Sequence, residues 1–84
     1  MFIYPLVKIQ KKRSGYMEYW ERIRALREDR DITQKELAEF LNIAQNTYSQ
    51  YENGKRDVQI AVLIKLCRYY QVSADYILGL AEKK

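Results

Sequence analysis

The sequence predicts an all-α domain of five short helices, and three observations lead to this fold class. About half of the 84 residues are apolar, which is enough for a core without a disulfide or a metal. From residue 16 onward, apolar residues recur at spacings of three and four, the period of an amphipathic helix. Capping residues and glycines divide this stretch into short segments, and no strand is predicted within it.

The chain is expected to consist of a tail of residues 1–16, a domain of residues 17–80 and a C-terminal tail of residues 81–84. The first tail is β-prone near its start and carries a basic, glycine-containing stretch at residues 11–15. Three interpretations of it remain open: an unstructured segment, a strand that pairs at a dimer edge, and a basic arm that contacts phosphates.

The first two helices are predicted from periodicity and from a capping signal. The first runs from residue 16 to about residue 30, with apolar positions at Tyr16, Tyr19, Trp20, Ile23 and Leu26. Thr33 then opens a capping box, in which its hydroxyl accepts from the Glu36 amide and the Glu36 carboxylate accepts from the Thr33 amide. Four residues of this second helix are expected to face inward: Leu37, Ala38, Phe40 and Leu41.

The remaining three helices are bounded by glycine and serine. The third is expected from about Ala44 to Glu52, with Gly54 available for a left-handed cap. The fourth is expected from residue 58 to residue 70, with four residues on its buried face: Ile60, Leu63, Ile64 and Cys67. Ser73 is expected to cap a fifth helix over residues 74–78, which Gly79 closes.

The third helix has two different faces. At 100° per residue, Ala44, Tyr48 and Tyr51 lie on one side, where they can pack on the second helix. Four uncharged polar residues lie almost opposite: Gln45, Asn46, Ser49 and Gln50. A merely solvated face is the alternative, but such a face normally carries Lys and Glu. Side-chain amides can bond adenine N6 and N7, so this pattern favours a helix that reads bases in a major groove.

The surroundings of this helix favour the same interpretation. The second helix, a three-residue turn at residues 42–44 and the third helix have the lengths of a helix-turn-helix. Gln34 lies at the start of the second helix, where free backbone N–H groups suit a phosphate. Asn53, Lys55 and Arg56 follow the third helix and form a second polar cluster within reach of a DNA backbone.

The composition argues against other classes of protein. There is no His, and the single Cys67, expected to be a small apolar helix residue, cannot form an internal disulfide. We therefore expect no catalytic site, no metal, no cofactor and no small-molecule ligand. No apolar run is long enough to span a membrane, and a reduced, cytoplasmic setting in a bacterial or phage context is expected. Residues 1–16 hold four basic and no acidic residues, so the remainder, with eleven of each, is neutral.

Residues 22–80 resemble the Xre-type helix-turn-helix family of transcriptional regulators, which includes the phage lambda and P22 repressors and the Cro proteins. Four motifs carry the resemblance: Thr33-Gln34-x-x-Leu37-Ala38, then Tyr48-Ser49-Gln50-Tyr51-Glu52-Asn53-Gly54-Lys55-Arg56, then Leu63-Ile64-x-Leu66, and finally Val72-Ser73-x-Asp75-Tyr76-Ile77-Leu78. The resemblance implies the five-helix fold of a lambda-repressor-like domain. The sequence departs from the family pattern at Ala44, where Ser or Thr often caps the third helix.

The resemblance also implies roles for individual residues. It assigns base contacts to Gln45, Asn46 and Gln50, and phosphate contacts to Gln34, Asn53 and Lys55. Together with the pattern of the chain itself, base reading is expected from Gln45, Asn46, Ser49 and Gln50. Contacts with the DNA backbone are expected from Thr33, Gln34, Thr47, Asn53, Lys55 and Arg56. An ion pair between Arg27 and Glu52 is expected to tie the first helix to the third, with a role in orientation.

The predicted function is that of a sequence-specific, double-stranded DNA-binding transcriptional regulator, and we favour a repressor. One module contacts few bases, so a homodimer on an inverted repeat is expected, with half-sites about 34 Å apart. Candidate dimer residues are Tyr69, Tyr70, Tyr76, Ile77 and Leu80, with core packing as the alternative role for each and strand exchange through residues 2–9 as the rival route. The alternative function is an antitoxin that neutralises a toxin partner and autoregulates its operon.

Overall fold

The computed structural model describes residues 17–82, and these residues form five α-helices and no strand. The helices are α1 (Tyr19–Asp29), α2 (Gln34–Leu41), α3 (Gln45–Glu52), α4 (Ile60–Tyr70) and α5 (Ala74–Leu78). The predicted fold class is therefore confirmed. The expectations for residues 1–16 and for the last two residues lie outside the described residues.

The ends of the helices follow from local side-chain chemistry. The Thr33 hydroxyl accepts from the Glu36 amide at 3.0 Å, and the Glu36 carboxylate accepts from the Thr33 amide at 2.9 Å, as the capping box predicts. Ser73 caps α5 in the predicted way, and Gly79 follows it with a φ of +84°. Asn42 ends α2 at a φ of +61°, a left-handed conformation that Asn tolerates better than most residues, and so sets the turn into α3.

The core is built from all five helices. Its buried members are Ile23, Leu26, Leu37, Ala38, Leu41, Tyr48, Tyr51, Val62, Leu66, Tyr70, Val72 and Ile77. Helix α3 packs against both α1 and α2, whereas α5 packs against α1 and α4. One face of α3 is thus fixed in the domain, and the other is left to solvent.

The predicted buried face of α4 is wrong. Ile60 and Ile64 are 71% and 44% exposed, while Val62 and Leu66 are buried together with Tyr70. Leu63 and Cys67, also predicted inward, are half-buried at the edge of the core. Seven of the eight residues from 60 to 67 are apolar, so periodicity alone cannot select the face. The packing of α4 on α2 and α5 selects it instead.

Two further residues predicted to face inward are exposed. Phe40 is 52% exposed because it lies on the edge of α2, where its ring contacts that of Tyr69 with centroids 4.6 Å apart. Ala44 is also exposed, because it precedes α3 as its N-cap with an extended backbone rather than forming part of its inner face.

The candidate dimer surface needs a similar correction. Tyr70 and Ile77 are fully buried core residues, so they are unavailable to a partner chain. In the sequence each of these two residues stands beside another aromatic or apolar residue, so the sequence alone does not show which of the neighbours is buried. Tyr69 and Tyr76 are half-buried, and Leu80 is exposed.

Two general features of residues 17–82 bear on function. No helix in this range combines the length and the apolar character required to cross a bilayer. No cluster of three or more His, Cys, Asp or Glu side chains in the same range is arranged to hold a metal ion.

Candidate nucleic-acid interface

The outward face of α3 carries the four residues predicted to read bases. Gln45 and Asn46, in the first turn, are exposed, and within residues 17–82 neither side chain makes a hydrogen bond. Ser49 and Gln50, one turn further along, are half-buried. Tyr48 and Tyr51 are buried on the opposite side, so the two faces of α3 are separated as predicted. The first turn therefore presents two unpaired amide groups to solvent.

The side-chain amide of Gln50 is oriented by a basic residue beyond the helix. Arg56 Nε donates to Gln50 Oε1 at 2.9 Å. The carbonyl oxygen of this amide is therefore engaged, while its NH₂ group remains available to donate to an acceptor outside the protein. The contact also links a residue predicted to read bases to one predicted to contact the DNA backbone.

The inner face of α3 is fixed by a buried carboxylate. Glu52 is only 1% exposed, and Arg27 of α1 donates to both of its oxygens, from Nε to Oε2 at 2.7 Å and from Nη2 to Oε1 at 3.0 Å. The predicted Arg27–Glu52 ion pair is thus present and bidentate. Gln34 of α2 donates to Oε1 at 3.0 Å, and the Tyr48 hydroxyl donates to Oε2. One carboxylate therefore joins three helices.

The protonation states in this cluster follow from burial and from hydrogen bonding. Burial alone would raise the pKa of Glu52, but the hydrogen bonds from Arg27, Tyr48 and Gln34 outweigh it and lower that pKa. Burial, followed by the bond to Glu52, raises the pKa of the Tyr48 hydroxyl far above its ordinary value, so it remains a donor. The bond to Glu52 raises the pKa of Arg27. Arg27 Nη1 also donates to the Ile32 carbonyl at 2.8 Å, which fixes the turn before α2.

The residues predicted to contact the DNA backbone lie at both ends of the helix-turn-helix. At the start of α2, Thr33 is exposed and Gln34 is half-buried with its NH₂ group directed to Glu52. Thr47 is half-buried on α3. Beyond α3, Asn53, Lys55 and Arg56 are exposed.

The sequence reasoning missed one basic residue of this surface. Arg24 of α1 donates from Nη2 to Asn53 Oδ1 at 3.2 Å, and its Nε lies 3.9 Å from Glu52 Oε1. Its side chain is substantially exposed. Because the charge of Arg27 already neutralises that of Glu52, Arg24 adds a positive charge to this surface, beside the residues after α3 that are predicted to contact the DNA backbone. Its position one turn before Arg27 on the same helix face is a signal that could have identified it.

These features define a class of protein: a helix-turn-helix domain formed by α2 and α3, in which α3 exposes side-chain amides and is flanked by polar and basic groups. The chain belongs to the helix-turn-helix family, of the Cro/C1 type, and the family model matches residues 23–77. This confirms the family predicted from the sequence. The family comprises DNA-binding transcriptional regulators and is not a class of enzyme.

Individual relatives include a transcriptional regulator and an antitoxin. The HTH-type transcriptional regulator ImmR of Bacillus subtilis is 44% identical over 63 residues, which cover 75% of this chain and 50% of ImmR. The antitoxin PezA of Streptococcus pneumoniae is 37% identical over 57 residues, which cover 68% of this chain and 36% of PezA. The chain thus spans about half, or less, of the length of these relatives.

Among solved structures, the chain is similar to the P22 c2 repressor in complex with a synthetic operator. The TM-score is 0.71 and the sequence identity is 29%, over 77% of this chain and 98% of that chain. This likeness agrees with the five-helix lambda-repressor-like fold predicted from the sequence.

Proposed function

We propose that this chain is a sequence-specific regulator of transcription that binds double-stranded DNA as a dimer, reads the major groove with α3 and represses by occluding a promoter. The observation that carries the proposal is the contrast between the two faces of α3. Its inner face is held by the core and by the Glu52 carboxylate, whereas the exposed side chains of Gln45 and Asn46 have no hydrogen-bond partner among residues 17–82. The similarity to a P22 c2 repressor solved with operator DNA and to regulators such as ImmR supports it.

Base reading is assigned to the outward amides. Gln45 and Asn46 each offer a donor and an acceptor, the combination that pairs with adenine N7 and N6 in the major groove. Gln50 offers its NH₂ group, because Arg56 engages its carbonyl oxygen. Ser49 lies between them on the same face and either donates or accepts.

Affinity is assigned to contacts with phosphates on both sides of α3. One cluster is Thr33 with Gln34 at the N-terminus of α2, where free backbone amides and the helix dipole favour an anion. The other follows α3 and comprises Asn53, Lys55 and Arg56, with Thr47 on the helix itself. Arg24 adds a positive charge beside this second cluster, because it donates to Asn53, and we include it among the phosphate contacts.

The proposed dimer uses the surface that remains near the C-terminal end. Leu80 is exposed, and Tyr69 and Tyr76 are half-buried beside the core. Leu80→Lys should therefore weaken binding to a two-half-site operator while leaving binding to a single half-site unchanged. Equal effects on both duplexes would argue against this surface.

The test of function is selection of bound duplexes from a random DNA pool at moderate salt. An enriched inverted repeat with half-sites about 34 Å apart is the expected result. Gln45→Ala should then relax the preference at one or two positions by about 1–3 kcal/mol. Gln59→Ala removes an exposed Gln outside α3 and is the matched control, which should leave the preferred sequence unchanged. A pool without enrichment at any salt would contradict the proposal.

Phosphate contacts are tested by the salt dependence of binding. Arg24→Gln should weaken binding to all duplexes and reduce the slope of log K against log salt by about 0.9. Arg68→Gln removes the same charge from α4 and should leave the slope unchanged. Equal slopes for wild type and Arg24→Gln would show that Arg24 does not contact a phosphate.

The antitoxin alternative rests on the similarity to PezA, of which this chain spans 36%. Its distinguishing result would be a second protein that co-purifies with this chain in a fixed ratio and whose toxicity the chain suppresses. The residues expected to supply a toxin-binding segment, 1–16, lie outside the described part of the chain.

A further inference from the structure

Two aromatic residues at the start of α1 contact the loop that follows α3. We name residues 53–58 the anchor loop, because it carries three residues predicted to contact phosphates: Asn53, Lys55 and Arg56. The Tyr19 hydroxyl donates to Asp57 Oδ1 at 3.2 Å and accepts from the Val58 amide at 3.1 Å. Both bonds join residues nearly forty positions apart in the sequence.

The neighbouring indole covers the other end of the same loop. A Cβ atom added to Gly54 would lie 2.6 Å from Trp20 Cε2 and 2.9 Å from Trp20 Nε1, so the indole packs directly on the glycine backbone. Only a residue without a side chain permits this approach, and Gly54 also has a φ of +73°. The rings of Tyr19 and Trp20 are themselves edge to face, with centroids 5.3 Å apart.

The anchor loop is bound on its other side by α3. The Lys55 amide donates to the Gln50 carbonyl at 2.9 Å, and the Gly54 amide donates to the Tyr51 carbonyl at 3.2 Å. The loop is therefore held between the last turn of α3 and the first turn of α1. Its backbone has a defined path although Asn53, Lys55 and Arg56 are all exposed.

We propose that Tyr19 and Trp20 are positioning residues that hold the anchor loop in its DNA-binding conformation before DNA arrives. The inference rests on the proposed function and assigns to this pair a role that the helix-turn-helix pattern itself does not contain. A loop that must be ordered on binding loses conformational freedom at that step, and a loop ordered beforehand does not. Tyr19 and Trp20 thus increase affinity without touching DNA.

Tyr19 has a second effect, through charge. Asp57 is the only acidic residue of the anchor loop, and its carboxylate accepts from Tyr19. Within residues 17–82 it forms no ion pair with Lys55 or Arg56, so both cations are available to phosphates. Without the hydroxyl, Asp57 is free to approach these cations and to compete with DNA for them.

The test uses one mild and one severe substitution. Tyr19→Phe keeps the ring against Trp20 and removes only the two hydrogen bonds, so the chain should remain folded. Trp20→Ala removes the indole from Gly54. Tyr70→Phe is the matched control, because the Tyr70 hydroxyl is buried without a hydrogen-bond partner among residues 17–82 and lies in the core. Circular dichroism establishes that each variant is folded before binding is measured.

The expected result is a loss of affinity that does not depend on base sequence. Tyr19→Phe should weaken binding to the selected operator and to an unrelated duplex by the same factor, about fivefold, because one ordered loop is lost in both complexes. Trp20→Ala should weaken both further, and Tyr70→Phe neither. Acrylamide quenching of Trp20, the only tryptophan, should increase in free Tyr19→Phe protein as the loop loosens.

Neutral DNA backbones separate a positioning role from a merely structural one. In these duplexes a single phosphate is replaced by a neutral methylphosphonate. The phosphates that the anchor loop contacts are first located as the positions at which, after this replacement, Lys55→Ala no longer weakens binding. On such duplexes the penalty of Tyr19→Phe should also disappear, because the loop then has no phosphate to meet. A penalty that persists undiminished at these positions, or unchanged quenching of Trp20, would overturn the inference while leaving the regulator proposal intact. If wild-type protein selects no DNA at all, the regulator proposal itself fails, and this inference with it.

Discussion

Removal of the negative charge from Glu52 is expected to destabilise the whole domain, not only α3. In Glu52→Gln the new amide oxygen can still accept from some neighbours. In either orientation, however, the NH₂ group meets a donor from Arg27, together with one from Gln34 or from Tyr48. At least one of these donors then lacks an acceptor. Arg27 also loses its counter-charge, although it keeps its bond to the Ile32 carbonyl.

The size of the effect follows from burial. Breaking a buried ion pair by removing one partner costs about 3–5 kcal/mol. The Glu52 side chain is fully buried, whereas that of Arg27 is 14% exposed and retains some hydration, so we expect about 3 kcal/mol. Small domains have total stabilities of about 5–15 kcal/mol, which makes this a large fraction. The midpoint of thermal unfolding should fall by about 12 °C or more.

Urea unfolding followed by circular dichroism measures this cost, and a double-mutant cycle identifies its source. Arg27→Met combined with Glu52→Gln should be more stable than the sum of the two single effects predicts, because no uncompensated charge remains. A loss below 1 kcal/mol for Glu52→Gln, or strict additivity in the cycle, would refute the argument that the ion pair is buried and coupled.

Three further predictions concern stability. The pKa of Glu52 is lower in the folded chain than in the unfolded chain, so its contribution to the free energy of unfolding is complete above its ordinary pKa and is lost as the pH falls through the folded value. The wild-type free energy of unfolding should therefore fall more steeply below about pH 4.5 than that of Glu52→Gln. Parallel curves for the two proteins would contradict this. Ala44→Ser should add about 1 kcal/mol in urea unfolding, since the N-cap of α3 has no side-chain hydrogen bond; an unchanged midpoint would mean that the serine does not cap. Gly54→Ala should lower the free energy of unfolding more than Gly79→Ala in the same assay. Both residues have a positive φ, but only a Cβ at position 54 meets Trp20, whereas a Cβ at position 79 has its nearest neighbour at 3.7 Å. Equal losses would indicate that the indole moves aside freely.

The sequence was informative where a local signal and a family pattern coincided. The Thr33 capping box, the glycine caps and the Arg27–Glu52 pair were all predictable, because each depends on residue types at fixed positions. The buried face of α4 was not, because apolar side chains surround most of that helix and only the packing of α2 and α5 decides which of them is covered.

The candidate interface shows the same limit. The outward amides of α3 could be identified from helical geometry alone. By contrast, nothing in the sequence indicates that Gln34 bonds to the Glu52 carboxylate, or that Tyr19 bonds to Asp57 and Val58. The Tyr48–Glu52 bond lies within one turn of α3, where the i, i+4 spacing could have suggested it. The bonds of Gln34 and Tyr19 instead join segments that meet only in the folded chain, so they depend on the relative placement of those segments rather than on any local pattern.

The separation of the two faces of α3 has an evolutionary consequence. Because the side chains of Gln45 and Asn46 make no hydrogen bond within residues 17–82, substitutions there leave the frame set by Tyr48 and Glu52 intact. If α3 reads bases as proposed, a duplicated copy of this gene can acquire a new target site through a few substitutions at Gln45 and Asn46, each neutral for folding. Transplanting the residues of a relative at positions 45 and 46 onto this α3 should accordingly shift the operator preference towards that relative's without loss of stability.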